Sequence, residues 1–304
     1  MLILVNGLPY FSKKIVKDLN EFDKENKYLF FDTYSSSFEK LKFLLLLPFC
    51  SKVISFSGVS DKSVLLDWVI FFKKKLVMQW QGTDVIIAVD RKLKGEIKTK
   101  YIDYSMHLAS AFWFIEELKD IVDEIIYAPY SYVNEFGNDN TYEEMNAITY
   151  LIEGKEEFYG WKELEHIIGL NPTVKFIVIG TEGKNLKKYK NVVFKGWVSQ
   201  EELLKLLKRT PIFIRATEHD GKALTVSQAF GAGCEVIWTS KMENCHFIEK
   251  DKDQLQNKFL ETMEIVSRRQ NTPNPANIKY AQENLLRATV LSNYVSQLKK
   301  LLND

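Results

Sequence analysis

The chain has 304 residues, enough for two domains of ordinary size, each with its own core. Hydrophobic residues make up 46% and charged residues 27%, which excludes disordered and collagen-like classes. Lys and Arg number 41 against 40 Asp and Glu, a formal net charge of +1, so nothing global argues for nucleic acid and no such partner is expected.

The N-terminus, MLILVNGLPYF, has no basic flank ahead of its apolar residues and reads as a buried strand rather than a signal peptide. In the first half, strands are predicted at 2–5, 28–31, 53–56, 76–80 and 124–128, with helical spacing at 13–25, 38–47, 61–72 and 116–122. The apolar run 41–50 contains Pro48 and is too short to cross a bilayer. Segment 64–75, VLLDWVIFFKKK, reads first as a core helix whose lysines complement its dipole, and second as a basic amphipathic helix at a membrane surface. The polar stretch 132–144 is the expected linker, which divides the chain into domains at 1–138 and 139–304. A second series of strands is predicted at 147–152, 175–179, 192–194, 212–214 and 236–238. Alternation of strands and helices through both halves predicts an α/β fold built on parallel sheets. The tail from Asp251 is helical, interrupted by Pro273 and Pro275. Cys50, Cys234 and Cys245 have no metal-ligand spacing and read as reduced thiols of a cytoplasmic protein.

The stretch 212–238, IFIRATEHDGKALTVSQAFGAGCEVIW, reads as strand, loop, helix, strand. A helix that starts at the carboxyl end of a parallel strand presents backbone N–H groups and partial positive charge. The N–H donors of Lys222, Ala223 and Leu224 are therefore candidates to hold a diphosphate. The alternative is an ordinary βαβ unit with a polar loop.

Asp220, Gly221, Gln228, Ala229 and Gly233 fall on the donor-binding pattern of retaining GT-B glycosyltransferases: an acid and Gly, a second acid eight positions on, then Ala and a Gly-ended helix. The run RATEHDG is most similar to a subgroup carrying R-x-T-E-H-D-G at this site. The resemblance implies two Rossmann-like domains facing across a cleft, with a terminal helix crossing back to the N-terminal domain. It implies transfer of a sugar, with retention of configuration, from a nucleotide-diphosphate sugar to a glycan or lipid-linked acceptor. Asp220 then orients the donor sugar beside His219, and Gln228 holds the ribose. Asp and Gln stand here where the pattern has Glu. Further donor contacts are expected from Arg215, Glu218, Gly221, Lys222, Ala223, Leu224 and Thr225.

Four other runs carry the resemblance. KFIVIGTEGK at 175–184 places Gly180 at a strand end facing the donor, with Lys184 either a phosphate contact or a solvated surface charge. NVVFKGWVS at 191–199 matches N-V-x-F-x-G-x-V, whose backbone borders the nucleobase at Trp197 or Val198. In YLIEGKEEFYG at 150–160, Lys155 and Tyr159 stand where the family has the Arg and Lys that neutralise the leaving diphosphate; Lys155, helped by Lys222 or Arg215, is expected to replace the missing cation, Arg215 reading equally as a structural partner of a nearby acid. LVMQWQGTDV at 76–85 is similar to an acceptor-side run ending in H-G-x-D, with Gln81 for His, and Gly82 and Asp84 retained. Asn6 and Gly7 match the turn that meets the donor phosphates.

No metal and no cofactor beyond the donor substrate are expected, and Asp251, Lys252 and Asp253 read as a helix cap rather than a D-x-D site. The resulting expectation is a metal-independent hexosyltransferase, cytoplasmic, with peripheral contact at the inner face of the membrane as the second reading that segment 64–75 leaves open. Two readings compete with it. One is a sugar-nucleotide epimerase of the same fold; the other is a non-catalytic nucleotide-binding partner subunit, which the loss of charge at Gln228, Gln81 and Tyr159 favours.

Overall fold

The structure is a computed structural model that describes residues 1–57, 62–137, 142 and 144–303, the side chains of Leu302 and Asn303 excepted. The chain forms two compact units, residues 1–130 with 288–304, and residues 131–287.

The first unit runs β1 (Leu2–Gly7), α1 (Pro9–Phe22), β2 (Lys27–Phe31), α2 (Ser37–Leu46), a 3-10 turn at Leu47–Phe49, β3 (Lys52–Phe56), α3 (Val64–Phe71) and β4 (Lys75–Trp80). It continues with α4 (Thr83–Leu93), α5 (Lys100–Tyr104), β5 (Met106–Ala109), α6 (Trp113–Glu117) and β6 (Ile125–Tyr127). The sheet is parallel, in the order β2-β1-β3-β4-β5-β6. Ile3, Leu4 and Val5 are wholly buried, as a strand covered on both faces by helices requires. Serines start two of the covering helices: Ser36 Oγ accepts from Glu39 N at 3.2 Å and Ser63 Oγ from Leu66 N at 3.2 Å. The first helix begins at Pro9 rather than at residue 13, because proline at the first helical position has the φ a helix needs and no amide to leave unpaired. β5 was not expected, being four residues long and carrying a histidine. Burial explains that histidine: Trp80 Nε1 donates to His107 Nδ1 at 3.1 Å and His107 Nε2 lies 3.0 Å from the Ile102 carbonyl, which calls for the neutral ring with its proton on Nε2. Burial pushes the His107 pKa down to about 4.

The second unit runs β7 (Asn146–Tyr150), α7 (Trp161–Leu170), β8 (Lys175–Ile179), β9 (Val192–Phe194), α8 (Gln200–Leu207), β10 (Ile212–Arg215), α9 (Leu224–Ala232), β11 (Glu235–Trp238), β12 (Cys245–Phe247), α10 (Lys252–Arg268) and α11 (Pro275–Asn284). Its sheet is also parallel, in the order β12-β11-β10-β7-β8-β9. β7 leads outward to β8 while β10 leads the other way to β11, so the strand order reverses between β7 and β10. At the edge, Glu235 is buried and accepts from Arg269 Nη1 at 2.6 Å and Asn274 Nδ2 at 3.0 Å, with His246 Nε2 at 2.9 Å. Burial pushes its pKa up, but the hydrogen bonds from His246 and Arg269 outweigh this and hold it below the usual range. Asp251 caps α10 through Gln254 N at 2.8 Å.

The expected boundary at 138/139 lies outside the described residues. The division falls instead between Tyr130 and Ser131, because residues 131–137 are tied to the second unit: Val133 N donates to Leu285 O at 2.7 Å and Gly137 N to Gly231 O at 2.6 Å. The last helix, α12 (Arg287–Asn303), packs with the first unit, where Tyr294 Oη donates to Gln79 Oε1 at 3.0 Å and Lys299 pairs with Glu25 at 2.9 Å.

Candidate functional site

Ligands of parallel α/β sheets sit at the carboxyl ends of the strands where the strand order reverses, since the diverging connections leave a crevice there. In the second unit those connections are the turn 151–160 after β7 and the loop 216–223 after β10. They are bound together. Glu218 N donates to Phe158 O at 2.8 Å, and Lys250 Nζ bridges Glu157 O at 2.7 Å and the Glu218 carboxylate at 2.8 Å. Gly160, at φ +80°, packs so closely on the loop that an added Cβ would stand 2.2 Å from Ala216 O.

Behind this junction lies a buried charge pair. Arg215, the last residue of β10, donates from Nε to Asp220 Oδ2, and its guanidinium carbon is 5.5 Å from the ring centres of both Tyr150 and Tyr159. Burial works against the Arg215 charge, but Asp220 beside it more than compensates and raises its pKa. Burial also raises the Tyr159 pKa, so its hydroxyl is a neutral hydrogen-bonding group. Two sequence candidates thus meet a third position: Tyr159, standing where the family has a lysine, is in contact with the cation of Arg215. The loop is held from behind as well, Ser131 Oγ donating to Lys222 O at 2.7 Å. Burial brings the Lys222 ammonium pKa down to about 8. Lys155 is exposed on the β7 turn, and His219 is half-buried between Glu218 and Asp220.

No side chain caps α9, whereas Ser199 and Asp251 cap the neighbouring α8 and α10. Its start at Ala223, Leu224 and Thr225 is thus open to an external anion. One turn in, Gln228 is 7% exposed. Its Nε2 donates to Gln200 Oε1 at 2.6 Å, while its Oε1 and Ser227 Oγ have no partner. Thr217 Oγ1, buried in the loop, is unpartnered too. Such groups point to a hydrogen-bonding ligand. The β9–α8 loop is tied to the end of β8 through Gly180 N to Gly196 O at 2.7 Å and displays Trp197, 79% exposed, beside Val198.

Other candidates have structural occupations. Gly180, at φ +87°, is required because a Cβ would stand 2.1 Å from Leu151 O. Lys184 pairs with Glu182 at 2.8 Å on the surface. In the first unit, Gly7 lies at the end of β1. Asp84 Oδ1 accepts from the amides of Gln81, Gly82 and Val85 at 2.9, 2.8 and 3.1 Å, so it secures the start of α4. Gln81 accepts from Tyr130 Oη and donates to Gln79 O at 3.1 Å. Sequence reasoning missed Tyr150, Gln200, Thr217 and Ser131. Thr217 lies inside the R-x-T-E-H-D-G run, which could have marked it; no local signal marks the other three, since each is defined by a contact with a distant part of the chain.

No family model matches the sequence, and no curated protein matches it. Solved structures do match. Sucrose-phosphate synthase from Thermosynechococcus elongatus superposes with a TM-score of 0.71 at 8% identity, covering 100% of both chains. The lipopolysaccharide outer core galactosyltransferase WaaB gives 0.65 at 14% identity, covering 99% of each chain. The pneumococcal O-GlcNAc transferase GtfA, in complex with UDP and GlcNAc, gives 0.60 at 12% identity over 88% of this chain; the chain spans 60% of that protein's length. With two parallel six-stranded sheets, each flanked by helices, the chain has the two-domain Rossmann-like fold of the GT-B glycosyltransferases.

Proposed function

We propose that the protein is a metal-independent glycosyltransferase that moves a hexose, with retention of configuration, from a nucleotide-diphosphate sugar to a glycan or lipid-linked acceptor. The observation that carries this reading is the uncapped start of α9 at the reversal point of a GT-B sheet, with the Arg215–Asp220 pair in the strand and loop that lead to it and Gln228 one turn in. The amides at Ala223, Leu224 and Thr225, with Lys222 and Lys155, take the diphosphate. Trp197 and Val198 border the base, and Gln228 Oε1 accepts from a ribose hydroxyl. Asp220, oriented by Arg215, receives the sugar hydroxyls beside His219. As the bond from the sugar's anomeric carbon to the leaving phosphate breaks, the acceptor oxygen bonds to that carbon on the same face. The acceptor's proton passes to the departing phosphate oxygen, which suits a site with few protein bases. UDP, named in the GtfA complex, supports uridine diphosphate as the leaving group.

The lipid-linked alternative has support in α2 and α3. These helices bury Phe43, Leu65, Leu66 and Val69 in one core and turn Leu41, Leu45, Val64, Trp68 and Phe71 outward, Val64 being 71% and Phe71 70% exposed. Segment 64–75 is therefore a core helix on one side and an apolar surface on the other. Lys40 and Lys42 lie on α2 and Lys73, Lys74 and Lys75 follow α3, while the acids Glu39 and Asp67 are paired with Lys42 and Lys100. An anionic bilayer at the inner membrane face complements it. Among the described residues no helix is long and apolar enough to cross a membrane.

Mass spectrometry of the protein incubated with UDP-glucose, UDP-galactose and UDP-GlcNAc tests the reading. Slow release of free sugar and UDP is expected from one of them. Interconversion of the sugars would instead identify an epimerase, and binding with no turnover a non-catalytic subunit.

A further inference from the structure

Gln228 stands where the donor pattern has an acid, and the exchange creates a demand on its surroundings. A carboxylate presents an acceptor oxygen at either end. A carboxamide has one oxygen and one amino group of nearly the same shape, so what it presents depends on which end is held.

The residue that holds Gln228 is Gln200. Ser199 caps α8 by accepting from Glu202 N at 3.2 Å, which makes Gln200 the first residue of that helix, three positions after Trp197. From there, across 28 residues of sequence, Gln200 Oε1 accepts from Gln228 Nε2 at 2.6 Å. The amino group of Gln228 is thereby engaged. Its Oε1 is left as a buried acceptor that no described residue reaches. Such an oxygen costs free energy until a donor meets it. Gln200 itself is exposed, so the bond is not part of a core.

We infer that Gln200 is a positioning residue for the donor: it takes up the amino group of Gln228, so that the carbonyl oxygen and not the N–H faces the nucleotide. The inference rests on the donor reading above, in which a ribose hydroxyl donates to Gln228 Oε1. It gives a physical reason why an amide serves there in place of an acid. It also makes the recognition of that hydroxyl depend on a residue that never touches it. A nucleotide lacking the hydroxyl leaves the oriented oxygen unpaired and binds more weakly.

Isothermal titration of the full chain with UDP and GDP, each beside its 2′-deoxy and 3′-deoxy forms, tests the inference. The ribonucleotide that binds should exceed one of its deoxy forms by about fivefold or more. Gln200→Met keeps the length of the side chain and removes the acceptor, and should bring that ratio below about twofold. Gln200→Glu can only accept and should keep the ratio, its charge weakening all the nucleotides alike. Neither variant should lower Tm, the side chain being exposed. In Gln228→Glu, whose carboxylate needs no orientation, adding Gln200→Met should change the ratio by less than about twofold. A Gln200 that only braced the two helices would weaken the ribo and deoxy forms together. A parent that does not discriminate, a ratio unchanged in Gln200→Met, or a ratio lost in Gln200→Glu overturns the inference. Sugar-nucleotide turnover in the same samples separates it from the reading it rests on. Turnover with a ratio indifferent to Gln200 removes the positioning role and leaves the transferase; a ratio that follows Gln200 without turnover keeps the role in a nucleotide-binding subunit; binding of no nucleotide overturns both.

Discussion

The pairing of Arg215 with Asp220 changes what each residue does. A carboxylate held by a buried guanidinium is fixed in direction, which a residue that must meet particular sugar hydroxyls needs. Asp220→Asn keeps the shape and one acceptor but loses the charge. Turnover of the sugar nucleotide is expected to fall by about 100-fold, with UDP affinity, measured by titration, changing by less than about threefold. Equal losses in both would place Asp220 in nucleotide binding instead. Trp197 offers a complementary test. Being 79% exposed, it contributes little to folding, so Trp197→Ala should leave Tm unchanged and weaken UDP by about tenfold through lost stacking on the base. An unchanged UDP affinity would take Trp197 out of the site.

At the scale of elements, the proposed diphosphate site makes the open start of α9 a trade of stability for binding. Ala223 has φ −59° and ψ 126°, a conformation in which a capping side chain reaches the first-turn amides. Ala223→Asp should therefore raise the stability of the second unit by about 1 kcal/mol in urea unfolding. The same substitution is expected to lower UDP affinity at least about tenfold, because its carboxylate competes for those amides and repels the diphosphate. A variant that gains stability and still binds UDP would show that the diphosphate lies elsewhere. The outward faces of α2 and α3 make a separate claim. The pair Leu45→Ser and Phe71→Ser removes two exposed apolar side chains and should reduce co-sedimentation with phosphatidylglycerol vesicles by about tenfold, with no loss of Tm.

The whole molecule should be acid-sensitive for a reason located in its first core. His107 is neutral and buried, with a pKa of about 4 against 6.5 for a free histidine. Because the folded value is depressed, the unfolded chain takes up the proton first as pH falls. The contribution is fully present above about pH 6.5 and is lost progressively down to about pH 4, a change of about 3 kcal/mol. Glu235, also depressed, adds a loss at lower pH, as its carboxylate is protonated and its bonds to His246 and Arg269 weaken. Urea midpoints measured from pH 7 to pH 4 should fall for the parent protein and much less for His107→Gln. Parallel profiles for the two would exclude His107 as the cause.

The sequence alone determined the architecture of alternating parallel strands and helices, because apolar runs of strand length and helical spacing are local properties. It also marked the loop after β10 as one that opens a helix, since a helix start behind a buried strand is legible in IFIRATEHDGKALTV. It did not reveal β5, too short and too polar to register, or that Gln228 would meet Gln200 and Arg215 would meet Asp220 between two tyrosines. Nor did it show Asp84 to be a helix-start residue. Those outcomes depend on strand order and on which side chains burial brings within hydrogen-bonding distance. Only the tertiary structure sets these, because polar contacts between distant residues leave no periodic trace along the chain.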